Sequence, residues 1–230
     1  DLPPSLAELG LDASGTALYA VGGKTVAVLD AKTLKVTRTF NVEHVLKEVQ
    51  ALDSDTLLAG GEGGACVISL SKTATLQRVP TGGFVMRRPG KDEFLVGSWL
   101  YKLGRTPTGE FHLDQVFSEA GAGDGNRVSF SPDGRWCVST GGGIYRFGRT
   151  QAANMVLHSR LEKAGQCFYA DDGRTINVLT YDGYWRIHEA EGFKLVASHD
   201  VGIGAVQVIP EAGGKTVLIA GYRLKPPSNP

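Results

Sequence analysis

Residues 17–42 read ALYAVGGKTVAVLDAKTLKVTRTFNV. TALYAV (16–21) and TVAVLD (25–30) are short, mainly apolar runs, KVTRTF (35–40) alternates apolar with polar side chains, and Gly22-Gly23 and Ala31-Lys32-Thr33 break the runs. A period of two between glycine-rich and polar breaks predicts antiparallel strands joined by tight turns. LAELGL (6–11) lies just upstream and predicts one more strand. Together the four make a unit of strands a, b, c and d.

The unit recurs along the chain. A small-polar turn precedes a hydrophobic strand at Ser14-Gly15, Ser54-Asp55, Lys91-Asp92, Asp133-Gly134, Asp172-Gly173 and Gly213-Gly214, with steps of 40, 37, 42, 39 and 41 residues between second members. This spacing suits the four-stranded blade of a β-propeller. The second unit runs EVQAL, TLLAG, ACVISL, TLQRV and the third FVMRR, EFLVG, LYKLG, FHLDQVF. The fourth runs RVSFS, RWCVS, GIYRFG, NMVLHSR and the fifth QCFYA, TINVLTY, YWRIHE, KLVASH; the last supplies AVQVI and TVLIAGY. A sheet with two apolar faces needs neighbours on both, and stacking such sheets around an axis supplies them. The expectation is an all-β propeller forming a single domain over residues 1–230. Its blades fall near 6–42, 44–81, 82–120, 126–163 and 165–201, with an incomplete one at 204–230. Six blades are favoured, with seven as the alternative. Residues 223–226, a partner's strand or a further part of a longer chain could finish the last blade.

The repeats carry a family resemblance. Residues 17–42, with Asp30 following strand c, look like the YVTN-type propeller repeat. TYDGYWRIHEAEGFKLVASH (180–199) resembles a WD repeat, with His188-Glu189 standing where that family has Trp-Asp, and SPDGRW (131–136) is a turn seen in many propellers. The resemblance implies the fold and, through the WD side, a scaffold that binds other proteins.

Composition narrows the chemistry. Hydrophobic residues are 42% and charged residues 21%, with 24 basic against 24 acidic side chains. Such a chain can bury a core and lacks the net charge that draws a protein to nucleic acid or to anionic membranes. Nucleic acid is therefore not an expected partner, and no apolar run reaches the roughly 18 residues of a membrane span. Cys66, Cys137 and Cys167 sit singly in apolar strands, without CxxC or a nearby histidine at zinc spacing, so buried inert thiols are expected and, with them, a cytoplasmic setting. The YVTN resemblance implies an extracytoplasmic one.

Catalytic motifs are missing. Gly22-Gly23-Lys24-Thr25 and Gly213-Gly214-Lys215-Thr216 lack the upstream glycine and the following helix of a phosphate loop, so both are expected to be hairpin turns. The histidines at 44, 112, 158, 188 and 199 form no zinc signature. At the starts of successive a strands stand Glu48, Phe84, Arg127, Gln166 and Ala205, which is not the carboxylate ring of a calcium-dependent lactonase. No cofactor, metal or catalytic residue is assigned. A small-molecule enzyme of lactonase or lyase type, working in the channel, is the alternative reading. A structural stack completed by another chain is a third.

Strand parity places b-to-c turns and d-to-a junctions on one side. Aromatic and arginine residues there are the types that anchor interfaces. Trp99, Tyr184, Tyr181, Arg127, His44, His199 and Asp200 are the candidate partner-binding residues. Tyr101, Tyr145 and Trp185 are expected instead to pack between blades.

Overall fold

The computed structural model describes residues 3, 5–12, 14–80, 83–117, 127–148, 155–170, 172–210 and 217–223, with side chains except at 117, 203–210 and 217–223. Contacts divide the chain into two compact units, residues 1–88 with 92–119 and residues 89–91 with 120–230.

In the first unit β1 (Glu8–Leu11), β2 (Ala17–Asp30), β3 (Val36–Ala51), β4 (Thr56–Gly61), β5 (Gly64–Ser69) and β6 (Ala74–Val79) form one antiparallel sheet in chain order. Straight, a strand as long as β2 would span roughly 45 Å. Its ends instead meet, since the Ala31 N–H donates to the Thr16 carbonyl at 2.9 Å. The chain folds back at Gly22-Gly23-Lys24, where Gly23 has a φ of 55°. The predicted b and c strands are thus the two arms of β2. β3 is likewise shared: Val36 to Asn41 pair with β2, and Glu48 to Ala51 pair with β4. The remaining strands of this unit, β7 (Val85–Arg87), β8 (Glu93–Val96), β9 (Trp99–Arg105) and β10 (Phe111–Phe117), form a four-stranded antiparallel sheet.

The second unit has two such sheets. One holds β11 (Val128–Phe130), β12 (Trp136–Ser139), β13 (Gly143–Arg146) and β14 (Val156–Arg160); the other holds β15 (Ala164–Tyr169), β16 (Thr175–Thr180), β17 (Tyr184–Glu189) and β18 (Leu195–Asp200). β19 (Ile203–Pro210) and β20 (Val217–Arg223) pair with each other. Residues 224–226, one means of finishing the last blade, lie outside the described residues.

Sheets stack because alternate residues serve different neighbours. Leu57 and Ala59 of β4 join Tyr19, Val26 and Phe40 on one face, while Leu58 joins Val85, Phe94 and Tyr101 on the other. In the second unit Val138 and Ile144 pack on Cys167, Ile176 and Val178. The thiols belong to these layers: burial pushes Cys66 up to about 11 and Cys167 up to about 12. Such thiols stay protonated at neutral pH and do not act as nucleophiles. Tyr169, 7% exposed, has a hydroxyl with no hydrogen-bond partner among the described residues. Leaving it unmet costs free energy, so Tyr169→Phe is expected to be neutral or to stabilise by up to about 1 kcal/mol in urea unfolding.

Polar clasps join the inner strands. Glu8 Oε2 accepts the Val49 N–H at 3.0 Å, Glu48 Oε2 accepts the Val85 N–H at 2.7 Å, and Ser129 Oγ accepts the Tyr169 N–H at 3.0 Å. The stretches that carry these N–H groups, Glu48 to Ala51 of β3, β7 and β15, have a sheet partner on one side only, so their outward N–H groups need such acceptors. Among the outer strands, the Gln77 amide acts as an extra peptide group, donating to the Leu113 carbonyl at 2.8 Å and accepting its N–H at 2.7 Å.

The outer strands also carry a bulge each, leaving Thr37, Leu76, Val116, His158 and Val196 outside the pairing register. A bulge twists an exposed edge away from flat pairing with another sheet. Just before several of these strands the turn uses a left-handed residue other than glycine: Leu34, Thr73, Met155 and Phe193 have φ between 50° and 59°. Leu34 is 63% exposed, so its conformational cost is not offset by burial. Leu34→Gly is expected to be neutral or stabilising by about 1 kcal/mol by thermal melting.

The turns between first and second strands are closed by carboxylates. Asp133 accepts the Arg135 N–H at 3.0 Å and the Ser131 hydroxyl at 2.7 Å. Partial burial opposes its ionisation, but these bonds and the Arg135 guanidinium outweigh that and hold it at about 2, against an ordinary 3.8. A depressed folded value stabilises above the unfolded value and is lost as pH falls through the folded one. Asp133→Asn should therefore lower the Tm at pH 5, and the difference from wild type should shrink as pH falls from the ordinary carboxylate range through about 2.

Candidate functional site

The seven candidate residues divide between the units. Trp99 and His44 lie in the first, and Arg127, Tyr181, Tyr184, His199 and Asp200 in the second. Trp99 opens β9 opposite Val96 and is half-buried against the layer containing Phe94 and Tyr101. His44 is half-buried in β3, and its Nε2 meets no hydrogen-bond partner among the described residues. Tyr101 and Tyr145, expected in the packing, are 3% and 2% exposed. Trp185 is half-buried, with its indole N–H donating to Asn177 Oδ1 at 3.0 Å.

Four candidates meet at one end of the β15–β18 sheet. Thr180-Tyr181-Asp182-Gly183-Tyr184 joins β16 to β17, and Gly183 takes a φ of 90°. The Thr180 hydroxyl accepts the Tyr184 N–H at 2.9 Å and donates to the Tyr184 carbonyl at 3.1 Å, which fixes the turn. Tyr184 pairs across the sheet with Asp200, and Trp185 pairs with His199, whose ring centroid lies 5.5 Å away. The segment after β18 is tied back, with the Val201 and Gly202 N–H groups donating to the Gly183 carbonyl at 2.9 and 3.2 Å. Tyr181 and Tyr184 remain 62% and 37% exposed. Arg127 is exposed at the entry to β11, where its carbonyl accepts the Thr140 N–H at 2.9 Å.

Charge at this end is mostly engaged. Lys163 bonds Asp182 at 2.9 Å, and the Thr180 hydroxyl with the Lys163 ammonium holds Asp182 below the usual carboxylate range. The Arg186 guanidinium sits 5.8 Å from the centre of the Tyr184 ring. Asp200 Oδ1 accepts the Gly202 N–H at 2.9 Å.

Sequence reasoning missed the residue that seats Tyr181. A Cβ on Gly165 would lie 3.2 Å from Cδ1 and Cε1 of the Tyr181 ring, so one edge of the ring lies close against that glycine. Gly165 is the bulged residue between Ala164 and Gln166, and such a slip in register leaves no mark on the alternation pattern. One signal was available: the corresponding bulge in β3 is Lys47, whose ammonium bonds Glu62 of its own turn at 2.7 Å. Glu62 and Tyr181 correspond, their N–H groups donating to Val45 and Lys163 carbonyls at 3.1 and 3.2 Å. A Lys–Glu pair in one repeat is thus a Gly–Tyr pair in another.

Elsewhere, an open groove of about 720 Å³ runs between residues 41–43 and 73–78, bridged by the Glu43–Arg78 ion pair. Among the described residues no three histidine, cysteine or acidic side chains converge to hold a metal. No helix among them is long and apolar enough to cross a membrane.

No family model and no curated protein matches the chain. Solved structures do. The β-propeller domain of Cps50 (Swd1) from Myceliophteria thermophila superposes with a TM-score of 0.67 at 13% identity, covering 96% of this chain and 81% of that one. Dihydro-heme d1 dehydrogenase NirN, solved with DHE, gives 0.68 at 15% identity, and this chain spans 55% of its length while being covered over 95% of its own. Hsv2 from Kluyveromyces lactis gives 0.59 at 10% identity, with coverage of 94% and 70%. Identities this low speak for the fold alone. With the sheets described above, they make the chain an all-β propeller of four-stranded antiparallel blades.

Proposed function

We propose that the chain is a non-catalytic interaction propeller, a scaffold within a larger protein or complex, that receives a protein partner on the Tyr181–Tyr184 turn. The observation that carries this is a pair of solvent-facing tyrosines on a turn held by Thr180, Gly183 and Gly165. Rigid aromatic side chains supply contact area at little entropic cost, and they dominate interface energetics. His199, Asp200 and Arg127 are the further residues of this unit proposed to contact a partner; Trp99 and His44, in the first unit, are proposed separately as partner-binding residues. The reading includes six blades in a single domain, with residues 204–230 contributing to the last, and a cytoplasmic location. The propeller neighbours fit an interaction role in general.

A channel enzyme draws no comparable support, because the inner-strand carboxylates Glu8 and Glu48 each accept a backbone N–H. The test is affinity capture from source cells using wild type and the Tyr181→Ala/Tyr184→Ala pair, with melting checked in parallel. Wild type should return a stoichiometric protein, and the paired variant should lose at least about tenfold of it at unchanged Tm. Equal recovery by both would remove this turn from the interface.

A further inference from the structure

We infer that the β19–β20 sheet takes two further strands from a partner protein, as a β-hairpin that pairs along β20 and lies over β17 and β18. This goes beyond the interaction reading above and does not involve the Tyr181–Tyr184 turn. β19 lies against β15 and β16 and pairs with β20, which has no sheet partner on its other side among the described residues. All seven residues of β20, VLIAGYR, are in register with β19, and the one slip in this pair falls on β19. The outer strands β3, β6, β10, β14 and β18, by contrast, each carry a bulge. An apolar edge strand without a bulge is one that another strand can join.

The neighbouring sheet is covered over its inner half only. Ile176 and Val178 of β16 face the β11–β14 sheet, and Asn177 and Leu179, on the opposite face, are buried as well. On that same opposite face Trp185, Ile187 and Ala197 are only half-buried, and His199 is exposed. The second repeat shows what belongs over them. Counted from the bulges at Leu76 and Val196, Trp185 and Ile187 correspond to Ala65 and Val67, and His199 corresponds to Val79. Those three are at most 3% exposed, in a layer shared with Tyr101 of β9 and Leu113 of β10, the third and fourth strands of the next sheet. Gln77, which clasps β10, corresponds to Ala197, a side chain too short to do so.

These two features select the occupant. The outward N–H and C=O groups of β20 ask for an extended backbone, which neither a helix nor a lipid offers. The half-buried Trp185, Ile187 and Ala197 ask for apolar side chains on alternate residues of the arriving strands. A second copy of this chain would have to unpair its own sheets, since β1 to β18 already lie in sheets of four or six strands.

The test is amide hydrogen exchange of the full-length protein isolated alone, before and after adding a synthetic peptide of residues 64–79, the chain's own β5–β6 hairpin. Alone, alternate amides within residues 217–223 should exchange freely while those of residues 176–179 are protected. The peptide should slow the fast set saturably and shift the Trp185 indole signal. Ile187→Lys should weaken the peptide at least about tenfold at unchanged Tm, because the hairpin would bury an ammonium. Val196→Lys, on the bulge, should not weaken it. The Tyr181→Ala/Tyr184→Ala pair should bind the peptide as wild type does, so either site can fail while the other stands. Protection throughout residues 217–223 in the protein alone would overturn the inference: independent of concentration, it means that the protein's own sequence covers the edge, and rising with concentration, that a second copy does. No saturable slowing by the peptide would overturn it too.

Discussion

Gly61→Ala should lose at least about 3 kcal/mol of stability, a large part of what a domain has to lose. The new Cβ would lie 1.9 Å from the Val45 carbonyl oxygen and 2.9 Å from its carbon, both backbone atoms at the entry to the inner strand. Neither can rotate aside as a side-chain tip can, so β3 or β4 must move, and both are packed on two faces. Gly63, two residues on, provides the comparison. Its φ is 81° but a Cβ there meets nothing within 4 Å, so Gly63→Ala should cost only the about 1–2 kcal/mol of a left-handed alanine. Urea midpoints for the two variants separate crowding from backbone preference. Similar losses would mean that the close approach at Gly61 is not what fixes the strand.

Glu48→Ala should be the other large loss, at about 2–4 kcal/mol. Glu48 is 3% exposed and its Oε2 accepts the Val85 N–H at 2.7 Å, joining the inner strands β3 and β7. Alanine removes the acceptor, leaves a buried N–H unmet and opens a space in the layer between two sheets. Glu48→Gln keeps an acceptor oxygen and should recover about half of the loss in equilibrium unfolding. Glu8→Ala, at a less buried clasp of the same design, should cost less. A glutamine variant as unstable as the alanine one would show that the carboxylate's charge, rather than its geometry, matters.

These two predictions mark what was legible in the amino-acid pattern and what was not. Short apolar or alternating runs bounded by turn residues read the strands of residues 17–40 and 48–79, and the unbroken run at Leu57-Leu58 is explained by its two residues choosing opposite layers. The 40-residue recurrence of small-polar turns gave the four-stranded unit, since glycine and aspartate mark backbone shapes that few other residues adopt. The pattern gave no hint that the predicted strands d and a would run on as the single β3, because both states are equally extended. Glu48 read only as one a-strand start in a series that makes no carboxylate ring; its role as a backbone acceptor depends on a neighbouring sheet that local pattern does not encode.

The site was half legible. Parity grouped Tyr181, Tyr184, His199 and Asp200, and the pairings Tyr184–Asp200 and Trp185–His199 join three of them in the described sheet. Trp99 looked equally aromatic and equally close to a turn, yet it is half-buried against its own layer. Burial of a ring beside a turn is set by the next sheet over. Gly165 was passed over because a bulge is a matter of register, visible only when strands are paired.

Partner contact at the Tyr181 turn is the central claim, and site-specific photo-cross-linking tests it most directly. A benzophenone amino acid is placed at Tyr181 in one variant and at Leu34, 63% exposed on a turn of the other unit, in a second. After irradiation in source cells, the account predicts one reproducible cross-linked protein from position 181, competed by the unlabelled wild-type chain, and no such product from position 34. A product from position 34 alone, or the same products from both positions, would contradict it.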